Sequence, residues 1–382
     1  MTRLNELTDL NGTVFNVDTL EQLIRDGYIS RKFHNEFPLA ILNYSPLATY
    51  SPELVWGTEM NLCRGLIYNS ETLEVVARPF AKFWNINDER HPETLDANLP
   101  NESPQLTDKL DGSLGVLYCW EDENYVATRG SFHSDQAEWA TRWLQKNWPQ
   151  LELPEEHTVL VEILYAENQI VVQYDFEGLV ILGVVNKLTG VESSRDAVEI
   201  WLEGFFSDEL PLVEKFDKTL AECSAENINN REGYVATFSN GLKVKIKFEE
   251  YCRLHKVLTG LNVRSIWELL REGQLETVTA WLSDEKMPAD FKTWLNGVLS
   301  TLIARVEKIE TETFAIFQAR PELSIMTPYK EGRKKMAEYF MKDEHRQYSG
   351  LLFSLLDNKD IKDSIWKMVE PKNVKTFKIE GE

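Results

Sequence analysis

Two textures that meet near residue 255 predict an α+β protein, with an antiparallel-β core over residues 1–255 followed by an all-α domain over 256–382. Up to about residue 250, short apolar runs alternate with polar residues at period two and are broken by Asn, Gly, Ser and Pro, the pattern of strands and tight turns. Beyond it, apolar residues recur at i, i+3 and i+4 and the breaks resemble helix caps. At 382 residues and 43% hydrophobic content the chain can bury two cores.

The elements follow in order. Residues 20–24, after Asp18-Thr19, form a short helix. From Phe37 the chain turns β-like: 39–44 is a strand, and Ser45-Pro46 and Tyr50-Ser51-Pro52 are turns. Residues 64–68 and 73–77 make a hairpin about Asn69-Ser70-Glu71. Lys82-Phe83-Trp84 puts a cation beside aromatic rings that can stack on a base or fill a core, and 85–104 is a polar loop. A second hairpin, 114–120 with 125–128, returns Arg129 to the end that bears Lys109. Ala137, Ala140, Trp143 and Leu144 have helical spacing, with Ser134 or Asp135 as cap and Pro149 as stop. Residues 159–165, 170–174 and 179–185 are apolar enough to be central strands, and 192–226 reads as acidic helical connectors. Residues 234–238 turn through Ser239-Asn240-Gly241 into 242–248.

In the second domain, Ser265-Ile266-Trp267-Glu268 reads as a capping box. Phe291, Leu295, Val298, Leu302 and Ile309 belong to one stripe along a long helix. Thr327-Pro328 is read as the cap of a helix bearing Lys330, Arg333, Lys334 and Lys335, a cluster that suits either an RNA backbone or a solvated face. Further helices are expected over 350–356 and 364–369.

The chemistry gathers at Lys109-Leu110-Asp111-Gly112-Ser113, a lysine on a turn ahead of an apolar strand. A K-x-D-G tetrad alone is weak, arising by chance in roughly one such chain in ten. Its companions sharpen it: Glu162 in a buried-looking strand, the turn Arg231-Glu232-Gly233, and Lys243, Lys245 and Lys247 alternating with Leu242, Val244, Ile246 and Phe248. In a strand those three ammonium groups share one face, as they would on an ordinary amphipathic edge. An amine with an unperturbed pKa of about 10.4 is a nucleophile only when neutral. Neighbouring cations would depress it and also receive phosphate oxygens, so Lys245 and Lys247 are expected to do both for Lys109. Glu162 is costly as a solitary buried charge and needs a partner.

Composition sets limits. No apolar run is long enough to span a bilayer and no basic-then-apolar leader opens the chain, which reads as soluble and not exported. Cys63, Cys119, Cys223 and Cys252 show no CxxC spacing, so reduced thiols are expected and a zinc site is not. The net charge of −21 runs against a general nucleic-acid binder and implies a positive cleft on a negative body.

Together these motifs resemble the phage T4 RNA ligase 1 family within the covalent nucleotidyltransferases, and the likeness runs over nearly the whole chain. Lys109 in KLDGS matches the family's adenylated lysine, with Asp111 and Gly112 as its motif neighbours. Arg129 falls where a basic residue precedes Gly-Ser, Glu162 matches the ribose acid, Glu232-Gly233 the fourth motif, and Lys245 and Lys247 the fifth. Arg64 in CRGLIYN and Lys82 with Trp84 in RPFAKFWN match segments ahead of the lysine, and Tyr44 falls near the nucleotide or in the core. Arg129 departs from the familiar lysine, and Gln169 is neutral where the family can carry a base.

The resemblance implies a nucleotidyltransferase (ATP-grasp-like) ligase core and ATP as substrate, with a covalent AMP-lysine. It implies Mg2+ or Mn2+ as well, with Glu276 a candidate metal ligand. It also implies RNA partners, broken tRNA or other single-stranded ends, a monomer, and work in a bacterial host's cytoplasm if phage-encoded. Two rivals remain: a capping-type guanylyltransferase, whose appended OB-fold would show as strands after the lysine strand, and a non-catalytic RNA-end-binding module, which needs no nucleophile.

Overall fold

The computed structural model describes residues 2–51, 53–207, 209–324, 326–372 and 377. Thirteen strands are described: β1 Ile29–Phe33, β2 Leu39–Tyr44, β3 Arg64–Asn69, β4 Val75–Ala77, β5 Trp84–Asn85, β6 Gln105–Asp108, β7 Ser113–Trp120, β8 Glu123–Thr128, β9 His157–Leu164, β10 Gly178–Asn186, β11 Lys215–Phe216, β12 Gly233–Thr237 and β13 Lys243–Lys247. The helices are α1 Val17–Arg25, α2 Pro46–Tyr50, α3 Thr58–Leu62, α4 Asp135–Asn147, α5 Arg195–Glu203, α6 Leu220–Ala225, α7 Glu249–Gly260, α8 Val263–Arg271, α9 Leu275–Ser283, α10 Ala289–Gln318, α11 Tyr329–Phe340, α12 Ser349–Leu356 and α13 Lys362–Met368. The result is an α+β protein of antiparallel sheets and a helical C-terminal region.

Period-two patterning places the strands in three sheets, ordered β1-β2-β3-β4, β10-β9-β7-β8 and β11-β6-β12-β13-β5. The first two pack face to face: Leu39, Ile41 and Ile67 from one meet Val116, Tyr118 and Leu160 from the other. The outer face of the second sheet is covered by α4 and α5, through Ala140, Leu144, Val198 and Leu202. In the third sheet Val244 and Ile246 are buried while Lys243, Lys245 and Lys247 face the other way, as alternation requires. The chain divides into two compact units, the first ending at His255 and the second starting at Lys256. In the second, Met336, Phe340, Leu351, Leu352 and Ile365 form the core, and α10 buries Phe291, Leu295, Leu299 and Leu302 along one stripe.

Several expectations are corrected. Residues 170–174 are not a strand, although Ile170, Val171 and Val172 are buried. Two of their amides are taken by a carboxylate instead of a ladder, so apolarity alone misled. Ser45-Pro46 is no plain turn: the Ser45 side chain accepts from Ala48 N and Pro46 opens α2. The capping box of α8 lies three residues earlier than expected, with Asn262 as cap and Ser265 as the reciprocal partner. Pro328, not Thr327, occupies the N-cap of α11, with no side-chain hydrogen bond. The connector 192–226 contains α5 and α6 but also β11, which joins the third sheet. Pro52 and residues 373–376 and 378–382 lie outside the described residues.

Candidate active site

Three adjacent strands of the third sheet build the floor. Registers Gly233↔Lys247, Val235↔Lys245 and Thr237↔Lys243 join β12 to β13, while Val235↔Thr107 and Thr237↔Gln105 join β12 to β6. Lys109 follows the end of β6, and its amide donates to Gly233 O at 3.0 Å. Gly233 has φ +149°, and a Cβ there would lie 1.9 Å from Ile246 O, so only glycine permits this approach beside Glu232. A cavity of about 190 Å³ above the floor is lined by Arg64, Phe83, Lys109, Arg129, Glu162 and Lys245, among others. A cleft of about 700 Å³ adjoins it and is lined by Lys82 and Trp84.

The turn after Lys109 is held by distant groups. Asp111 is buried, and its Oδ2 accepts from the amides of Val171 and Val172, each at 2.8 Å. Its Oδ1 accepts from Tyr251 Oη at 2.7 Å, and its own amide donates to Tyr174 Oη at 2.7 Å. Burial drives the Asp111 carboxyl upward against these bonds. Gly112 N donates to Glu162 Oε1 at 3.0 Å, and a Cβ on Gly112 would sit 2.5 Å from Ile163 O. Ser113 Oγ donates to Asn168 Oδ1 at 2.9 Å, whose amide nitrogen reaches Ile163 O at 2.7 Å.

Glu232 is the electrostatic hinge of the site. Lys109 Nζ and Lys247 Nζ each lie 2.8 Å from one of its oxygens. Burial penalises the carboxylate, but the two ammonium groups outweigh it and hold its pKa below the usual range. Lys109 shows the converse: burial pulls its pKa down, yet Glu232 and Glu162 raise it above the usual lysine value. The two carboxylates thus outweigh both burial and the repulsion between Lys109 and Lys245, and the net shift at Lys109 is upward and not the depression expected. Burial and then the charges of Lys109, Arg64 and Lys82 push Lys245 itself far below a normal lysine. Lys245 has no carboxylate within ion-pair distance among the described residues, whereas Lys247 does. Burial lifts Glu162 to about 7 against the pull of Lys109, and lifts Asp108 to about 6 against Arg231.

A second cluster crosses from the first sheet. Tyr44 Oη accepts from Lys82 Nζ at 3.1 Å and from Arg129 Nη1 at 2.9 Å. Lys82 Nζ lies 4.6 Å from the Trp84 ring centroid and 4.7 Å from that of Tyr44. Burial opposes ionisation of the phenol, but Arg64, Arg129 and Lys82 bring its pKa down to about 8. Arg64 Nη1 and Arg129 Nε are buried without a hydrogen-bond partner among the described residues, which suits an anion. Trp84 stacks on His91 with ring centroids 3.5 Å apart and meets Trp56 in a T-shaped contact at 4.9 Å.

Thus the first unit assembles Lys109, Arg64, Arg129, Glu162, Glu232, Lys245 and Lys247, with Tyr44, Lys82 and Trp84 alongside. The cleft is not simply positive, since carboxylates interleave its cations. Glu276 lies exposed in the first turn of α9, in the second unit. Among the described residues no group of three His, Cys, Asp or Glu side chains could hold a metal, and no helix is long and apolar enough to cross a membrane. Asp108, Asn168, Tyr174, Glu192 and Tyr251 were not singled out in the sequence. Their signal is tertiary: Asp111 draws partners from 60 and 140 residues away.

Comparison with known proteins agrees with the resemblance. A family model described as RNA ligase matches residues 62–251. A protein of Thermovibrio ammonificans, provisionally named an RNA ligase, is 31% identical over 263 residues, covering 64% of this chain and 68% of that one. A protein of Autographa californica nuclear polyhedrosis virus, provisionally named a bifunctional polynucleotide kinase/RNA ligase, is 27% identical over 259 residues. That match covers 59% of this chain, which spans only 34% of the viral protein's length. Among solved structures, an archaeal ATP-dependent RNA ligase superposes with TM-score 0.43 at 13% identity over 90% of this chain and 96% of that one.

Proposed function

The chain belongs to the phage T4 RNA ligase 1 family of RNA ligases, and on that premise we propose that it joins RNA ends in three steps that begin on Lys109. The neutral Lys109 amine attacks the α-phosphorus of ATP; an N–P bond forms, the P–O bond to pyrophosphate breaks, and the amine proton departs. An oxygen of an RNA 5′-phosphate then displaces the lysine, giving an RNA-adenylate. A 3′-hydroxyl finally attacks the 5′-phosphorus, forming the phosphodiester and releasing AMP.

One observation carries this reading: a half-buried lysine, held by Glu232, faces a cavity whose cations Arg64, Arg129 and Lys245 pair with no carboxylate among the described residues. Glu232 aims the amine and keeps it charged until a triphosphate arrives. The incoming anion engages Lys245, Arg64 and Arg129, and Lys245 supplies the charge that receives the departing phosphate oxygens. Glu162, bound to the turn through Gly112, stands where a ribose hydroxyl can use its carboxyl group. Mg2+ or Mn2+ is proposed as a companion of the triphosphate, whose charge it would neutralise. The proposed RNA is a broken single-stranded end of tRNA type, with repair as the role.

Incubation with labelled ATP or GTP followed by a denaturing gel tests the first step. Label retained from ATP and mapped to Lys109 by mass spectrometry is expected. Label on another lysine would overturn the assignment, and charging by GTP would favour a capping-type enzyme.

A further inference from the structure

Resting on the reading of the cavity as a nucleotide site, we propose that Glu192 and Lys243, at its end remote from Lys109, read the base edge and select adenine. The floor of the cavity is a ladder of rungs. Gly233 and Lys247 form the rung at the nucleophile, Thr107, Val235 and Lys245 the next, and Gln105, Thr237 and Lys243 the last. Two residues of strand separate successive rungs by about 7 Å, so the last lies about 13 Å from the first. That span fits an extended nucleoside monophosphate with a hydrogen bond at each end. The middle rung offers Val235 to a flat apolar ring, and the last is wholly polar.

Glu192 is brought there by the chain after β10. Asn186 N donates to Val191 O and Ser193 N to Val184 O, which fixes the Glu192 backbone beside the strand. A register shift in β10 lies between Ile181 and Gly183. A Cβ on Gly183 would lie 2.5 Å from Glu192 Oε1 and 3.0 Å from Phe80 Cζ. The missing side chain is what lets the carboxylate seat against the strand. Lys243 pairs with Glu192, donates to Thr237 Oγ1 at 2.9 Å and sits 4.4 Å from the Phe80 centroid. The pair lines both the cavity and the adjoining cleft.

An acceptor held beside a donor matches adenine, whose 6-amino group donates while the neighbouring ring nitrogen accepts. In the same pose guanine presents the reverse order: a carbonyl toward the carboxylate and an N–H toward the ammonium. A bland alternative is a strut closing the cavity.

The test compares ATP with purine riboside triphosphate, which lacks only the 6-amino group, in wild type, Glu192→Ala and Glu192→Gln. Rates of protein–nucleotide formation are read, together with calorimetric binding of AMP and purine riboside monophosphate. Wild type should prefer the amino-bearing nucleotide by about tenfold or more in both measurements, as a hydrogen bond to a charged group implies. Glu192→Ala should reduce both ratios to about twofold or less, with Glu192→Gln between. Rates that fall alike with unchanged ratios would make the pair a strut and overturn the proposal, as would a wild type indifferent to the amino group. If wild type forms no covalent adduct yet binds AMP selectively through Glu192, the base reader stands and the Lys109 chemistry falls. If it binds neither monophosphate, both fall.

Discussion

The two units of this chain differ most in charge. Residues 1–255 carry 42 acidic against 21 basic residues, whereas 256–382 carry 20 of each. The whole formal charge of −21 therefore belongs to the unit with the site. Beside Arg78, seven of its 21 cations, Arg64, Lys82, Lys109, Arg129, Lys243, Lys245 and Lys247, line the cavity and cleft or meet at Glu232. In the helical unit, by contrast, cations are neutralised locally: Lys334 by Glu338, Lys335 by Glu331, Arg333 by Asp357 and Lys367 by Asp363. Net charge thus says little about where anions bind, and the arrangement of carboxylates around each cation says much more. On the proposed function, a unit of this charge would be repelled by RNA except at the few phosphates it grips, which would favour action at a break over coating of a strand.

The sharpest way to break this contrast is Lys109→Ala. It should abolish protein–AMP formation while leaving the fold and the sealing of RNA that already carries a 5′-adenylate. A normal yield of adduct in a gel assay would remove the first unit's claim to the chemistry. Lys245→Ala and Lys247→Ala come next, each slowing self-adenylation by an order of magnitude or more, since a preorganised charged contact is worth roughly 3 kcal/mol. The structure separates them: Lys247 shares Glu232 with Lys109, while Lys245 has no such partner. Loss of Lys247 should therefore also leave Glu232 wholly to Lys109 and raise the pH at which single-turnover charging reaches half its maximum. Loss of Lys245 removes only its repulsion of Lys109 and leaves Glu232 shared with Lys247, so it should raise that pH less. Identical pH profiles for the two variants would show that Glu232 does not govern the amine.

A smaller effect concerns stability. Glu162 is lifted to about 7 by burial, above its unfolded value of 4.5. The folded protein then holds a proton there that the unfolded chain has released, so stability falls as pH rises through roughly 5 to 7. Glu162→Gln keeps an acceptor for Gly112 N and should flatten that fall, with a higher midpoint of urea unfolding at pH 8 than wild type. An unchanged slope across this range would mean that Lys109 already holds Glu162 ionised.

Much of this was legible in advance, and the exceptions have one cause. The short apolar runs placed β2, β3, β7, β10, β12 and β13 because burial imprints them, on one face in β13 and on both in β2 and β3, and the Lys243-Lys245-Lys247 face survives intact. Helical spacing placed α4 and α10 for the same reason. What failed depended on contacts between distant residues. The buried stretch 170–172 looks like a strand until Asp111 is seen to claim two of its amides. Lys109 looks set to be depressed by cations until Glu232 is found 2.8 Å away. No local pattern carries either fact.

The finest test of the contrast is removal of the helical unit. The cut matters: α7 runs from Glu249 to Gly260, and its Tyr251 donates to Asp111 at 2.7 Å, holding the turn that carries Lys109. A chain ending at residue 258 would fray that helix, so the informative truncation keeps Leu261. Such a protein retains all seven cations of the site and should charge with ATP within about twofold of full length. Any effect should appear in the ratio of sealing a structured, tRNA-like break to sealing a plain oligonucleotide, measured at equal charging. Because three of the four basic residues of α11 are paired with acids and the helical unit carries 20 residues of each sign, it has little net charge with which to attract RNA in general. Its contribution should therefore be shape-dependent and weakly sensitive to salt, lowering the ratio without a change in salt slope. A ratio that truncation leaves unchanged would place selectivity in the first unit, and a large change in salt slope would show that the helical unit binds RNA by charge after all.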